Sequence, residues 1–245
     1  MAAERYFRTI SPDHPIRLEY KAQGKLAKNL SRQGRLVEAE VVARDALLKN
    51  LKTVGKMNRI TALIAVNLAR ILSAQGRYQD AANRYRAVID IYETTGSPAS
   101  SLFVGSAKIG LANTFVRLGK WGEALKQFDQ IRSDMRNNAG VFEKLTRRSV
   151  NHPLALIKSN RAEDAIALLA PRYQDSLKTF GPKRTQTARQ AGMLGMAYTA
   201  LGDKSKAIAA FRGAVPILLV ASAKSGGEGS GRAAKGQALG VILDS

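Results

Sequence analysis

Apolar side chains recur along this chain in pairs of helical stripes, each pair separated by a glycine. Five residues after Gly34, Gly76, Gly119 and Gly202 stand Ala39, Ala81, Ala124 and Ala207. Nine after them stand Ala43, Tyr85, Phe128 and Phe211, and twelve after them Ala46, Val88, Ile131 and Ala214. Steps of 4 and 3 between these offsets trace one face of an α-helix. Upstream the pattern is as regular. Leu26, Leu68, Leu111 and Leu194 lie eight before the glycines, Ala27, Ala69, Ala112 and Gly195 seven before, and Leu30, Leu72, Phe115 and Tyr198 four before. This is a second helical face, with a small residue where two helix backbones must come close. The glycine falls just past its end, where a left-handed residue is needed.

The glycine spacings are 42, 43 and 83 residues, and the last is about two periods. A degenerate unit therefore belongs near Asn160, the other residue type that tolerates the left-handed region, with Leu156, Ala165 and Leu169 at the expected offsets. Pro153 takes its small-residue position, which predicts a first helix that starts late or is shortened. A second set of glycines, Gly55, Gly96, Gly140 and Gly181, is expected to end second helices of about 15 residues, with Pro98 and Pro182 reinforcing two of the stops. The pattern predicts an all-α chain of ten main helices in five antiparallel hairpins. The array spans 16–224, in units 16–55, 56–98, 99–140, 141–182 and 183–224. Residues 1–15 read as the end of a preceding helix or cap and a loop, 225–231 as a Gly/Ser linker, and 232–245 as the start of a following segment.

A first helix bearing a small residue, a glycine turn and an Ala-x-x-x-aromatic second helix resemble the tetratricopeptide repeat. The period of about 42 residues is similar to the longer variety found in kinesin light chains and in repeats that precede bacterial CHAT (caspase-like) domains. The stretch FRGAVPILLVASAKSGG and the glycine-rich break after it resemble the junction before a CHAT module. The resemblance implies an α-solenoid with a right-handed superhelical path and a non-enzymatic scaffold that binds protein. It further implies the regulatory or sensor region of a larger bacterial protein with a C-terminal CHAT-type protease effector.

Composition narrows the chemistry. The absence of cysteine excludes disulfides, a cysteine nucleophile and thiolate metal sites, and His14 and His152 are too few for a histidine-rich zinc centre. Each histidine lies beside a proline and reads as a turn or helix-start residue. GGEGSGRAAKG has phosphate-loop composition but lacks the Gly-Lys-Ser/Thr ending. No catalytic residues, metal or cofactor are expected. The opening MAAERYFRTI is polar, and the most apolar run, AVPILLVASA, is half a membrane span, so a cytoplasmic chain without membrane contact is expected.

The remaining signal is charge. The chain carries +20, divided as +7 over residues 1–60, +3 over 61–134, +9 over 135–220 and +1 over 221–245. A field of this sign attracts acidic protein or nucleic acid. In a stacked array the first helices line the concave side. Positions 13, 9, 6 and 2 before each turn residue share a face away from the core. They supply Lys21, Lys25, Lys28 and Arg32, then Asn67 and Arg70, then Asn113 and Arg117, then Arg147, Asn151 and Lys158, and Arg189. Asparagine amides both donate to and accept from an extended backbone, and the cations beside them suit carboxylates. The expected partner is an acidic or extended protein segment, with a C-terminal effector of the same polypeptide as one source. Nucleic acid is the alternative, weakened by an aromatic content of 6%.

Overall fold

The computed structural model describes residues 15–147 and 149–224. All its regular structure is helical: α1 (Pro15–Arg32), α2 (Leu36–Val54), α3 (Arg59–Ala74), α4 (Tyr78–Thr94), α5 (Leu102–Arg117), α6 (Trp121–Asp134), a 3-10 turn (Arg136–Asn138), α7 (Ala139–Thr146), α8 (Asn151–Lys158), α9 (Ala162–Phe180), α10 (Thr185–Ala200) and α11 (Lys204–Lys224). These form hairpins α1/α2, α3/α4, α5/α6, α8/α9 and α10/α11. Neighbouring first helices also touch, α1 with α3, α3 with α5, α5 with α8 and α8 with α10. They make an inner layer, and each second helix packs on the first helices beside it.

Each hairpin turns by the same device. Gly34, Gly76, Gly119, Asn160 and Gly202 all have positive φ, and Asn160, at 58°, is the one non-glycine residue there among those described. The next residue then donates its N–H to a carbonyl five positions back, at 2.9–3.0 Å: Arg35 to Leu30, Arg77 to Leu72, Lys120 to Phe115, Arg161 to Leu156 and Asp203 to Tyr198. This closure satisfies a helix-end carbonyl and reverses the chain. The same acceptor residues send their side chains toward the core.

The small-residue positions set how closely the layers approach. Ala27, Ala69 and Ala112 on first helices and Ala39, Ala81, Ala124 and Ala165 on second helices have no exposed surface. Gly195 goes further. A Cβ there would lie 2.6 Å from the Phe211 ring, so this glycine receives the aromatic of its own hairpin. Polar links pin some junctions: buried Asn50 donates to Thr61 Oγ1 at 2.6 Å, and Thr61 donates to the carbonyl of Gly55 at 2.8 Å.

Three features depart from the sequence pattern. Gly140 does not end a helix. It lies in the first turn of α7, while α6 ends at Asp134 and a 3-10 turn follows. The first helix of the fourth unit is two helices, giving eleven in all among the described residues rather than ten. Pro153 favours the break, since it has no N–H for the carbonyl of Ser149 and its ring crowds that carbonyl, although Pro171 and Pro216 lie within the unbroken helices α9 and α11. As the third residue of α8 it is tolerated, since first-turn amides need no intrahelical acceptor. Leu26 is half exposed, whereas Leu68, Leu111 and Leu194 at the same offset are buried. The described residues hold no unit before α1.

Substituting Ala124 by leucine inserts three carbons where no free space exists, and overpacking of this kind costs roughly 1–3 kcal/mol. The midpoint of thermal unfolding followed by circular dichroism is expected to fall by several degrees in Ala124→Leu, at about 2–4 °C per kcal/mol. An unchanged midpoint contradicts the close approach of α5 and α6.

Candidate partner-binding site

The residues expected to face a partner all belong to first-layer elements. Lys21, Lys25, Lys28 and Arg32 are on α1, Asn67 and Arg70 on α3, and Asn113 and Arg117 on α5. Arg147 follows α7, Asn151 and Lys158 are on α8, and Arg189 is on α10. Lys25, Lys28, Arg32, Arg70, Arg117 and Lys158 are exposed, while Asn67, Asn113, Arg147, Asn151 and Arg189 are half-buried.

Contacts between units tie several of these positions to one face. Arg70 donates to Ser106 Oγ at 2.9 Å across the α3/α5 step, so position −6 of one unit meets position −13 of the next. Tyr85 lies beneath Arg70. Burial pushes its hydroxyl up to about 12, against the pull of the guanidinium, so the phenol stays neutral and packs as a wall. One step earlier, a Cβ on Gly24 would stand 3.4 Å from the Asn67 amide, so α1 approaches that amide closely. The carboxamide oxygens of Asn113 and Asn151 are covered and lack a hydrogen-bond partner among the described residues. Burial draws the guanidiniums of Arg117 and Arg189 below the usual arginine value, although an arginine remains charged.

Arg147 is placed differently. It forms an ion pair with Asp175 on α9, which turns it toward the second helix of its own unit. The structure thus links Arg70 on α3 to Ser106 on α5 and engages Arg147 with α9, while Asn67, Asn113, Asn151 and Arg189 are half-buried on α3, α5, α8 and α10.

Several electrostatic features were not singled out from the sequence. The residue after each turn pairs with the residue three further on: Arg35 with Glu38, Arg77 with Asp80 at 2.7 Å, Lys120 with Glu123 at 3.3 Å and Arg161 with Asp164 at 2.7 Å. In the last hairpin the signs reverse, with Asp203 and Lys206 at 2.8 Å. The basic-x-x-acidic spacing after each turn was visible in the repeat and places an acid in the first turn of four second helices, where the helix dipole favours it. Lys108 is buried on α5 and meets Asp134 at 2.9 Å and Glu93 at 3.6 Å, joining α4, α5 and α6. No group of histidine and acidic residues among those described is arranged to hold a metal ion. No described helix is long and apolar enough to cross a membrane. His14 and the glycine-rich stretch at 226–236 lie outside the described residues.

His152 is the buried titratable group of this region. It stacks on Phe128 with ring centres 4.3 Å apart and meets Phe142 edge-on at 6.5 Å. Burial, helped by Arg132, Arg172 and Arg161, lowers its pKa to about 3. The unfolded chain, with a value near 6.5, takes up a proton that the fold refuses. Stability contributed by the neutral ring is complete above about pH 6.5. It is lost as pH falls toward 3, at up to ~1.4 kcal/mol per unit. His152→Phe is expected to lessen the drop in urea midpoint between pH 7 and pH 5 relative to the wild type. Equal drops in the two proteins contradict this placement.

Comparison with known proteins agrees with the architecture. Residues 5–94 match the family model of the tetratricopeptide repeat. A comparison with curated proteins finds no match. Among solved structures, the nearly identical TPR-like repeats of a putative kinesin light chain from Podosopora anserina superpose with a TM-score of 0.65 at 20% identity, covering 84% of this chain and 96% of that one. A glutamine-to-methionine variant of the same repeats gives 0.66 at the same identity and coverage. BtubC (BKLC) from P. vanneervenii gives 0.64 at 20% identity, covering 89% of this chain and 88% of its own. At this identity the likeness establishes the fold.

Proposed function

Starting from a helical solenoid of the tetratricopeptide-repeat type, we propose that the chain is a non-enzymatic protein-interaction scaffold that takes an acidic or extended protein segment along its first-helix layer. The observation that supports this reading is the Arg70–Ser106 contact, which joins position −6 of one unit to position −13 of the next. Support comes also from the half-buried Asn113 and Asn151 on this layer, whose carboxamides can both donate to and accept from an extended backbone. Exposed Lys25, Lys28, Arg32, Arg117 and Lys158 give this layer its sign. Charges at such a rim set association rate and salt dependence, and central polar contacts set how long the complex lasts. The segment belongs to a separate protein or to a C-terminal effector of the same polypeptide, for which a CHAT-type protease is the proposed identity. The proposed site of action is the cytoplasm.

The test uses a fluorescent decaglutamate peptide at about 0.15 M salt, where screening acts over roughly 8 Å. Reversing Lys28 and Arg70 to glutamate is expected to weaken binding at least about tenfold, some 1.4 kcal/mol, with the helical signal intact. Reversing Arg84 and Lys126, exposed on the second helices α4 and α6, is expected to change it far less. Equal losses from the two pairs contradict a groove.

The charge of +20 supports a second reading, a basic nucleic-acid-binding solenoid. Attraction by charge alone is expected to be weak and to fade steeply as salt rises. Submicromolar, sequence-selective binding of an oligonucleotide at physiological salt, measured by fluorescence anisotropy, would place this reading first.

A further inference from the structure

The junction between the fourth and fifth hairpins breaks the packing rule of the others. Twelve residues after the turn, the second helices bury Ala46, Val88, Ile131 and Ala214, but the fourth hairpin buries Arg172, which is 5% exposed. Twelve residues before the turn, Ile64 and Ala107 are buried on first helices, whereas the fifth hairpin buries Gln190, at 6%. Two apolar core positions have become polar at one junction. They line the same cavity, of about 20 Å³, together with Arg147, Ser149 and Arg189. Val150 and Pro153, where α8 begins, complete its wall.

These polar groups do not satisfy one another. Arg172 donates through Nη2 to Glu143 at 2.7 Å and to Thr146 Oγ1 at 3.0 Å, but Nη1 has no partner. Arg189 Nε and both polar atoms of the Gln190 amide are likewise unpartnered among the described residues. The charges do not balance either. Glu143 answers Arg172 and Asp175 answers Arg147, while no described carboxylate pairs with Arg189. An uncompensated, partly desolvated guanidinium and several covered donors are costly unless a ligand meets them.

We propose that this cavity is an anion-recognition subsite that receives a single carboxylate from an acidic side chain of the bound segment, with Arg172 Nη1, Arg189 Nε and the Gln190 amide as donors. The proposal rests on the groove reading above and names one anchoring point within it. Arg189, one of the groove positions, lines the cavity, so on the groove reading an acidic segment passes beside it. The cavity is small, about 20 Å³, and has room for the two oxygens of one carboxylate. The planar guanidinium fork matches a carboxylate in geometry as well as charge.

The experiment follows the arginine Nε–H signals of the ¹⁵N-labelled full chain during titration with sodium acetate and, separately, sodium phosphate at constant ionic strength. Hexaglutamate binding to the wild type, Arg189→Gln, Gln190→Met and the Lys28→Glu/Arg70→Glu pair is measured alongside. The expected result is a saturable shift of Arg189 Nε with acetate and a weaker one with phosphate. Hexaglutamate binding is expected to weaken at least fivefold in Arg189→Gln and Gln190→Met at unchanged thermal midpoints. Gln190→Met keeps the volume, so it remains informative if loss of Arg189 perturbs the fold. Identical, non-saturating shifts with both anions overturn the subsite. Saturable acetate binding with hexaglutamate unaffected by either cavity variant overturns the assignment to the partner and leaves the groove standing. Loss of hexaglutamate binding in the cavity variants but not in Lys28→Glu/Arg70→Glu keeps the subsite and overturns the wider groove.

Discussion

Between the two helices of each hairpin one residue is held at positive φ, and the next hands its N–H to a carbonyl five positions back. That acceptor is always a large apolar residue, Leu30, Leu72, Phe115, Leu156 or Tyr198. The turn and the core are thus set by the same side of the same helix end. Once the turn fixes where the second helix leaves, the alanines five residues later and those seven residues before are buried between the layers, and Gly195 receives Phe211 of its own hairpin. Repeating this closure brings the first helices side by side as an inner layer, which is the condition for any continuous binding face.

Where every unit obeys the same constraint, the sequence is easy to read. The apolar offsets locate the five turns, including Asn160, because few residue types tolerate the left-handed region and a helical core face repeats at steps of 3 and 4. What the offsets miss are places where a local residue overrides the period. Gly140 matches the stop glycines in spacing, yet the chain at residues 136–138 has already left α6 in a 3-10 turn, so this glycine begins a helix. Pro153 signals a shortened helix but not the separate helix α7 before it. Of the candidate site, the pattern places side chains on a helix face, but not which of them already have partners. The pairing of Arg147 with Asp175 depends on three-dimensional approach of α9, which no spacing encodes. Arg172 and Gln190 were within reach, since the offset of the first is apolar in the four other units and that of the second in the first three.

The electrostatics separate into two kinds. The pairs after each turn, from Arg35–Glu38 to Asp203–Lys206, consume charges at the hairpin ends. Lys108, Asp134 and Glu93 do so between helices. Lys25, Lys28, Arg70, Arg117 and Lys158 of the first-helix layer are exposed. The junction of the fourth and fifth hairpins joins the two themes, because the interrupted helix admits arginine and glutamine to positions that elsewhere hold the core.

The central claim is that the first-helix layer, and not the basic surface at large, receives the partner. Amide hydrogen exchange of the full chain, with and without an acidic peptide at saturating concentration, tests it most directly. Slower exchange is expected in α1, α3, α5, α8 and α10, and in the 147–150 connection, with α2, α4, α6, α9 and α11 unchanged. Equal protection of the second helices, or protection confined to them, would contradict it.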